Sequence, residues 1–108
     1  LTTGFPSACS DAAPFALRVT DDSMEPEFRR NCIVIIDPTG HARDGAYVLA
    51  EVDGDYIFRQ LRLNGDGVWL EALKKTYPTL ALDAGIAAVK GVVVQRAGAR
   101  RRYHKRYD

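Results

Sequence analysis

Ala46-Tyr47-Val48-Leu49-Ala50-Glu51-Val52-Asp53-Gly54-Asp55-Tyr56-Ile57-Phe58-Arg59-Gln60-Leu61-Arg62-Leu63 decides the fold class. Two runs rich in Val, Ile, Tyr and Phe flank Asp53-Gly54, a dipeptide suited to the positive φ angles of a tight hairpin. Residues 46–52 and 55–63 therefore read as paired antiparallel strands. The same punctuation continues outward. Residues 14–19 read as a first strand, and residues 32–36 as a β-branched, buried one closed by the turn Asp37-Pro38-Thr39-Gly40. Downstream, Asn64-Gly65-Asp66-Gly67 turns the chain into residues 68–73, and residues 79–82 and 86–94 complete the set. No amphipathic helix of useful length interrupts these strands. The expected fold class is all-β: a coiled antiparallel sheet forming a partly closed barrel.

The chain has 108 residues, enough for one domain that buries roughly two-thirds of its surface. Charged residues make up 27% and hydrophobic ones 46%, which excludes wholesale disorder. Apolar runs such as 32–36 and 86–89 fall far short of the ~18 residues of a membrane span, and the start has no signal-peptide pattern. The first residue is Leu and the one Met is Met24, so a longer parent chain is expected. Cys9 and Cys32 are too few for a disulfide framework, which favours a reduced, cytoplasmic protein. Residues 1–13, small and polar, read as a linker or arm. Charge is uneven: residues 1–95 hold nine Lys/Arg against thirteen Asp/Glu, whereas residues 96–108 hold six against one. That basic tail reads as a solvated end, with phosphate contact as the alternative.

Three other features compete for chemistry. In Asp21-Asp22-Ser23-Met24-Glu25-Pro26, Ser23 stands where a strand meets a turn. Its hydroxyl could act as a nucleophile beside inward-pointing amides, or simply cap a short helical turn over residues 26–30. On the return strand of the hairpin, Arg59 shares a face with Ile57, Leu61 and Leu63. It either belongs to a site or carries its head to water along an apolar stem. If buried it needs a partner, and Asp21, Asp22, Glu25 and the Ser23 hydroxyl are candidates. His41 and His104 have no ligand-spaced partners, and no metal or cofactor is expected.

The segment Leu17-Arg18-Val19-Thr20-Asp21-Asp22-Ser23-Met24-Glu25-Pro26 resembles the nucleophile segment of the LexA-like autopeptidases. These include the SOS repressor, UmuD-type mutagenesis proteins and phage repressors. Further matches follow in order: residues 32–38, Gly45-Ala46-Tyr47-Val48-Leu49-Ala50, Tyr56-Ile57-Phe58-Arg59-Gln60-Leu61, Tyr77-Pro78 and Gly91-Val92-Val93-Val94. Signal peptidases share the Ser-Met core but carry membrane anchors. The resemblance covers residues 14–95 and implies a LexA-like peptidase and dimerisation domain, followed by the basic tail.

The resemblance implies Ser23 as nucleophile position, with Asp22 and Met24 as its segment neighbours, and Arg59 at the position of the general-base Lys. In the family a neutral Lys takes the Ser proton, and the alkoxide cleaves an Ala-Gly or Cys-Gly bond in the chain's own linker. Arg is effectively never deprotonated, and no Ala-Gly or Cys-Gly precedes Ser23 here. The expectation is therefore a homodimeric repressor domain that does not cleave itself, with DNA bound through an N-terminal helix-turn-helix domain and a co-protease filament as the family's trigger. An active self-cleaving peptidase is the alternative.

Overall fold

The computed structural model describes residues 13–65, 67–98 and 103–107. The expected arm over residues 1–13 thus lies almost wholly outside the described residues, as do Arg100, Arg101 and Arg102 of the tail. Among the described residues, eight strands form: β1 (Phe15–Arg18), β2 (Ile33–Asp37), β3 (Tyr47–Val52), β4 (Asp55–Asn64), β5 (Gly67–Glu71), β6 (Leu80–Ala81), β7 (Val89–Ala97) and β8 (Lys105–Arg106). All pairings are antiparallel, in the order β1-β2-β7-β3-β4-β5-β6, with β8 added to β7. The mainly-β expectation holds. The sheet is not closed into a barrel: β1 and β6 are its two ends.

The hairpin that decided the fold class forms as read. Tyr47 pairs with Gln60 and Val52 with Asp55. Asp53 (φ 52°) and Gly54 (φ 87°) both take the positive φ that the tight turn demands. The last expected strand differs. Residues 85–88 make a 3-10 turn, Gly85–Ala88, and the strand starts at Val89 and runs on to Ala97. The small residues Gly85, Ala87 and Ala88 have little side chain to pack against a sheet, and Gly85 sits at φ 66°.

Successive side chains of β3 feed two separate cores. Leu49 joins Leu17, Val19, Met24, Phe28, Val34, Ile36, Phe58 and Val93 on one side. Val48 and Ala50 join Leu61, Leu70, Leu82 and Ala88 on the other. A sheet that bends round two cores has bulges where its ladders shift, between Ile35 and Ile36 on β2 and between Leu49 and Ala50 on β3. Gly91 pairs with Leu49 at that bend, and a Cβ there would collide with the buried Ile36 side chain. The close approach of β7 to β2 thus requires glycine.

The basic tail departs from the solvated reading over residues 103–107. β8 lies along β7 on the edge that β3 leaves, with Gln95 facing Arg106 and Arg96 facing Lys105. The Tyr107 ring packs 5.3 Å from Phe28 and 5.4 Å from Tyr47. Its hydroxyl, the Lys105 ammonium and the Arg96 guanidinium all reach the Glu27 carboxylate. Tyrosines spaced four apart supply apolar area that a count of charges alone overlooks.

Candidate active site

Ser23 is positioned by its neighbours. The loop between β1 and β2 is pinned at its base by Val19 N–H to the Cys32 carbonyl and Asn31 N–H to the Val19 carbonyl. Asn31 adopts φ 75°, a left-handed conformation that Asn tolerates. Within the loop, Phe28 N–H bonds the Met24 carbonyl in a single helical turn. Met24 and Phe28 are fully buried and anchor that turn in the first core, with Phe28 meeting Tyr47 and Phe58 edge-on at 4.8 and 4.9 Å. The Glu25–Pro26 peptide bond is cis. Ser23 precedes the Met24 anchor and is itself 0% exposed.

Arg59, 9% exposed, comes from β4 opposite Val48. Its Nη1 donates to Ser23 Oγ at 2.7 Å and to the Phe58 carbonyl at 2.8 Å. Asp21 stands on the other side of the serine. Ser23 Oγ donates to Asp21 Oδ1 at 2.7 Å, and Ser23 N–H reaches the same oxygen at 3.1 Å. The other Asp21 oxygen is 3.9 Å from Arg59 Nη1. Arg59 Nε is buried without a hydrogen-bond partner. Of the proposed partners of Arg59, Ser23 and Asp21 are in place. Asp22 and Glu25 point elsewhere, and Glu25 accepts from Arg30 N–H instead.

Asp22 is committed to the segment after β5. Its carboxylate accepts from Lys74 Nζ and, at 2.6 Å, from the Tyr77 hydroxyl. These two bonds, Lys74 first, hold the Asp22 carboxyl down at about 2. The same pairing raises the Lys74 ammonium, the reverse of what a base requires. Lys74 N–H also donates to the Ser23 carbonyl at 2.9 Å. The Arg59 guanidinium carbon lies 5.4 Å from the Tyr77 ring centroid, within cation–π range. Residues 74–77 therefore pack against the turn that holds Ser23 and against Arg59. Spacing along the chain offered no reason to expect Lys74 here, because the contact depends on how β5 leads back across the sheet.

His41 lies with Asp37, Arg43 and Asp44 along a groove of about 420 Å³ beside β7 and is not among the hydrogen-bond partners of Ser23. His104 is exposed beside β8. No helix among the described residues is long and apolar enough to cross a membrane.

Ser23, at a strand-to-turn junction, is thus faced by a basic residue from the return strand of a hairpin in an antiparallel sheet. The chain belongs to the Peptidase S24-like family, which it matches over residues 4–94. It is 33% identical over 88 residues to the HTH-type transcriptional regulators for conjugative element SXT of Vibrio cholerae and for conjugative element R391 of Providencia rettgeri, covering 75% of this chain and 40% of each relative. It is 30% identical over 92 residues to the LexA repressor of Shewanella baltica (strain OS155), covering 82% of this chain and 45% of that protein. The chain thus spans less than half the length of the curated relatives it matches.

Proposed function

We propose that this chain is the C-terminal dimerisation and regulatory domain of a LexA-like or phage-type transcriptional repressor whose peptidase site is held shut and does not cleave. The relatives are transcriptional regulators, and the part of them that this chain does not cover leaves room for a helix-turn-helix domain that binds DNA. A cytoplasmic regulator with no cofactor fits this reading.

One observation carries the loss of cleavage. The Arg59 guanidinium donates into Ser23 Oγ at 2.7 Å while the serine is closed off from solvent. A base must accept a proton at that point, and Arg59 offers only donors. Removing a proton from Arg at pH 7 costs roughly 7–9 kcal/mol, against about 4.6 for an unshifted Lys. Burial can remove most of the lysine cost but leaves Arg out of reach.

The test is intact mass on the longer natural protein, wild type against Ser23→Ala, at alkaline pH and with a co-protease filament. The expected result is no Ser23-dependent fragment from either, with a dimer at tens of micromolar by ultracentrifugation. A Ser23-dependent split overturns the closed-site reading, and a strict monomer overturns the dimerisation reading. The active alternative keeps one observation in its favour: the Ser23 hydroxyl still has a carboxylate to donate to.

A further inference from the structure

We infer that Asp21 is the proton acceptor for Ser23, so that the serine keeps a carboxylate-assisted nucleophilicity of its own, in place of the lysine route. The inference rests on Ser23 being the nucleophile position of this fold, and it fails separately from the proposed loss of self-cleavage.

The geometry assigns each proton. Arg59 Nη1 has only hydrogens to give, so at 2.7 Å the Ser23 oxygen is its acceptor. The hydroxyl hydrogen must then point elsewhere, and Asp21 Oδ1 is its acceptor at 2.7 Å. Ser23 therefore sits between a fixed cation and a carboxylate. The cation favours the alkoxide electrostatically and the carboxylate takes the proton. The remaining lone pair on Oγ is free to attack. The Asp21 side chain is 48% exposed, so a proton received there passes on to water.

With a fluorophosphonate as electrophile, the step balances. Ser23 Oγ attacks phosphorus, an O–P bond forms, the P–F bond breaks and fluoride leaves. The hydroxyl proton goes to Asp21 and then to solvent. Ser23 is buried, and Tyr77 packs on its partner Arg59 and bonds its neighbour Asp22, so Tyr77→Ala, which loosens that packing, is the parallel background.

The experiment measures fluorophosphonate adduct on Ser23 by intact mass, in the wild-type chain and in Tyr77→Ala, with Ser23→Ala as blank. Labelling is expected to be slow in wild type and faster in Tyr77→Ala. Asp21→Asn keeps an oxygen in place for the Ser23 N–H and hydroxyl but is not basic. It is expected to slow labelling about 100-fold in both backgrounds, within the range of general-base effects. Two results overturn the inference: Asp21→Asn labels as fast as its parent, or neither background labels. Adduct formation without cleavage of the longer protein sustains both this inference and the proposed function. Cleavage with the Asp21 effect intact sinks only the latter.

Discussion

Replacing Glu27 by Ala tests whether the C-terminal segment is part of the fold. Glu27 accepts from Tyr107 Oη, from Lys105 Nζ at 2.9 Å and from Arg96 Nη1 at 3.1 Å. The Lys105 side chain is half exposed, so that pair is worth at most about 1 kcal/mol. Tyr107 is partly buried, and losing its acceptor costs about 1 kcal/mol. Arg96 is the deepest member, 13% exposed, but it keeps the Tyr103 and Glu27 main-chain carbonyls as acceptors. Its loss is therefore about 1 kcal/mol rather than the several of a stranded charge. The sum is about 2–3 kcal/mol, which lowers the melting temperature of a domain this size by roughly 8–20 °C. Lys105→Ala should cost under about 1 kcal/mol. Urea unfolding at pH 7 reads both. A Glu27→Ala protein within about 0.5 kcal/mol of wild type, or no worse than Lys105→Ala, would show that residues 103–107 contribute nothing to stability. The pH dependence has a definite sign. Burial pushes the Glu27 carboxyl up, but Tyr107, Lys105 and Arg96 outweigh it and hold it below its ordinary value. Its contribution is therefore full above about pH 4.3 and fades as pH falls through the lower folded value. The advantage of wild type over Glu27→Gln should shrink only in acid.

Other outcomes follow from the packing and the charges. Asp22 should titrate by carboxyl NMR near 2 in wild type and move back toward the ordinary Asp value in Lys74→Ala, because Lys74 is the larger cause of its shift. Its stabilising contribution is present above about pH 3.9 and lost as pH falls through about 2. Gly91→Ala should destabilise by about 1–3 kcal/mol in denaturant titration, since the new Cβ meets buried Ile36 where β2, β7 and β3 converge. Phe28→Ala should cost about 3–5 kcal/mol, because the ring is fully buried among Tyr47, Phe58 and Tyr107. Each of these last two is refuted by an unchanged urea midpoint.

Much of the sheet was legible because its local signals agree with its long-range pairing. Asp53-Gly54 sets a turn, the turn sets the register of β3 on β4, and the β-branched runs supply the buried rows. Where residue chemistry is bland, as at Gly85–Ala88, nothing local distinguishes the start of a strand from a 3-10 turn. Burial cost alone asked only for some partner of Arg59; the resemblance singled out Ser23, since the two lie 36 residues apart and no periodicity connects them. Asp21 stood in view as one of three acids, and only the folded turn separates it from Asp22 and Glu25. The contacts of Lys74 and Tyr77 with Asp22 and the Glu27 clasp were hidden for a common reason, although Tyr77 itself was among the matched residues. They depend on how segments beyond the matched strands double back, and charge counting assigns such residues to solvent by default.

The presence of arginine at position 59 has two consequences with one physical origin. A lysine ammonium is a compact charge that burial can neutralise, so a buried lysine can sit beside a serine as a free base without demanding acceptors. A guanidinium stays charged and brings five hydrogens that need partners. In this site the partners within reach are Ser23 Oγ, the Phe58 carbonyl, the Asp21 carboxylate at 3.9 Å and the face of Tyr77. Even so, Nε is left buried and unpaired, a cost that the surrounding packing has to offset. Arg59 thus takes up one lone pair of the oxygen that a base at its position would have to activate. Removal of the guanidinium should then be felt first as a structural loss. Arg59→Met keeps the apolar stem and drops the donors, so it leaves Ser23 with Asp21 alone and relieves the unpaired Nε. By urea titration its cost should be smaller than that of Asp21→Ala, which strands the buried cation. The reverse order would mean that Asp21 is not the counter-charge of Arg59.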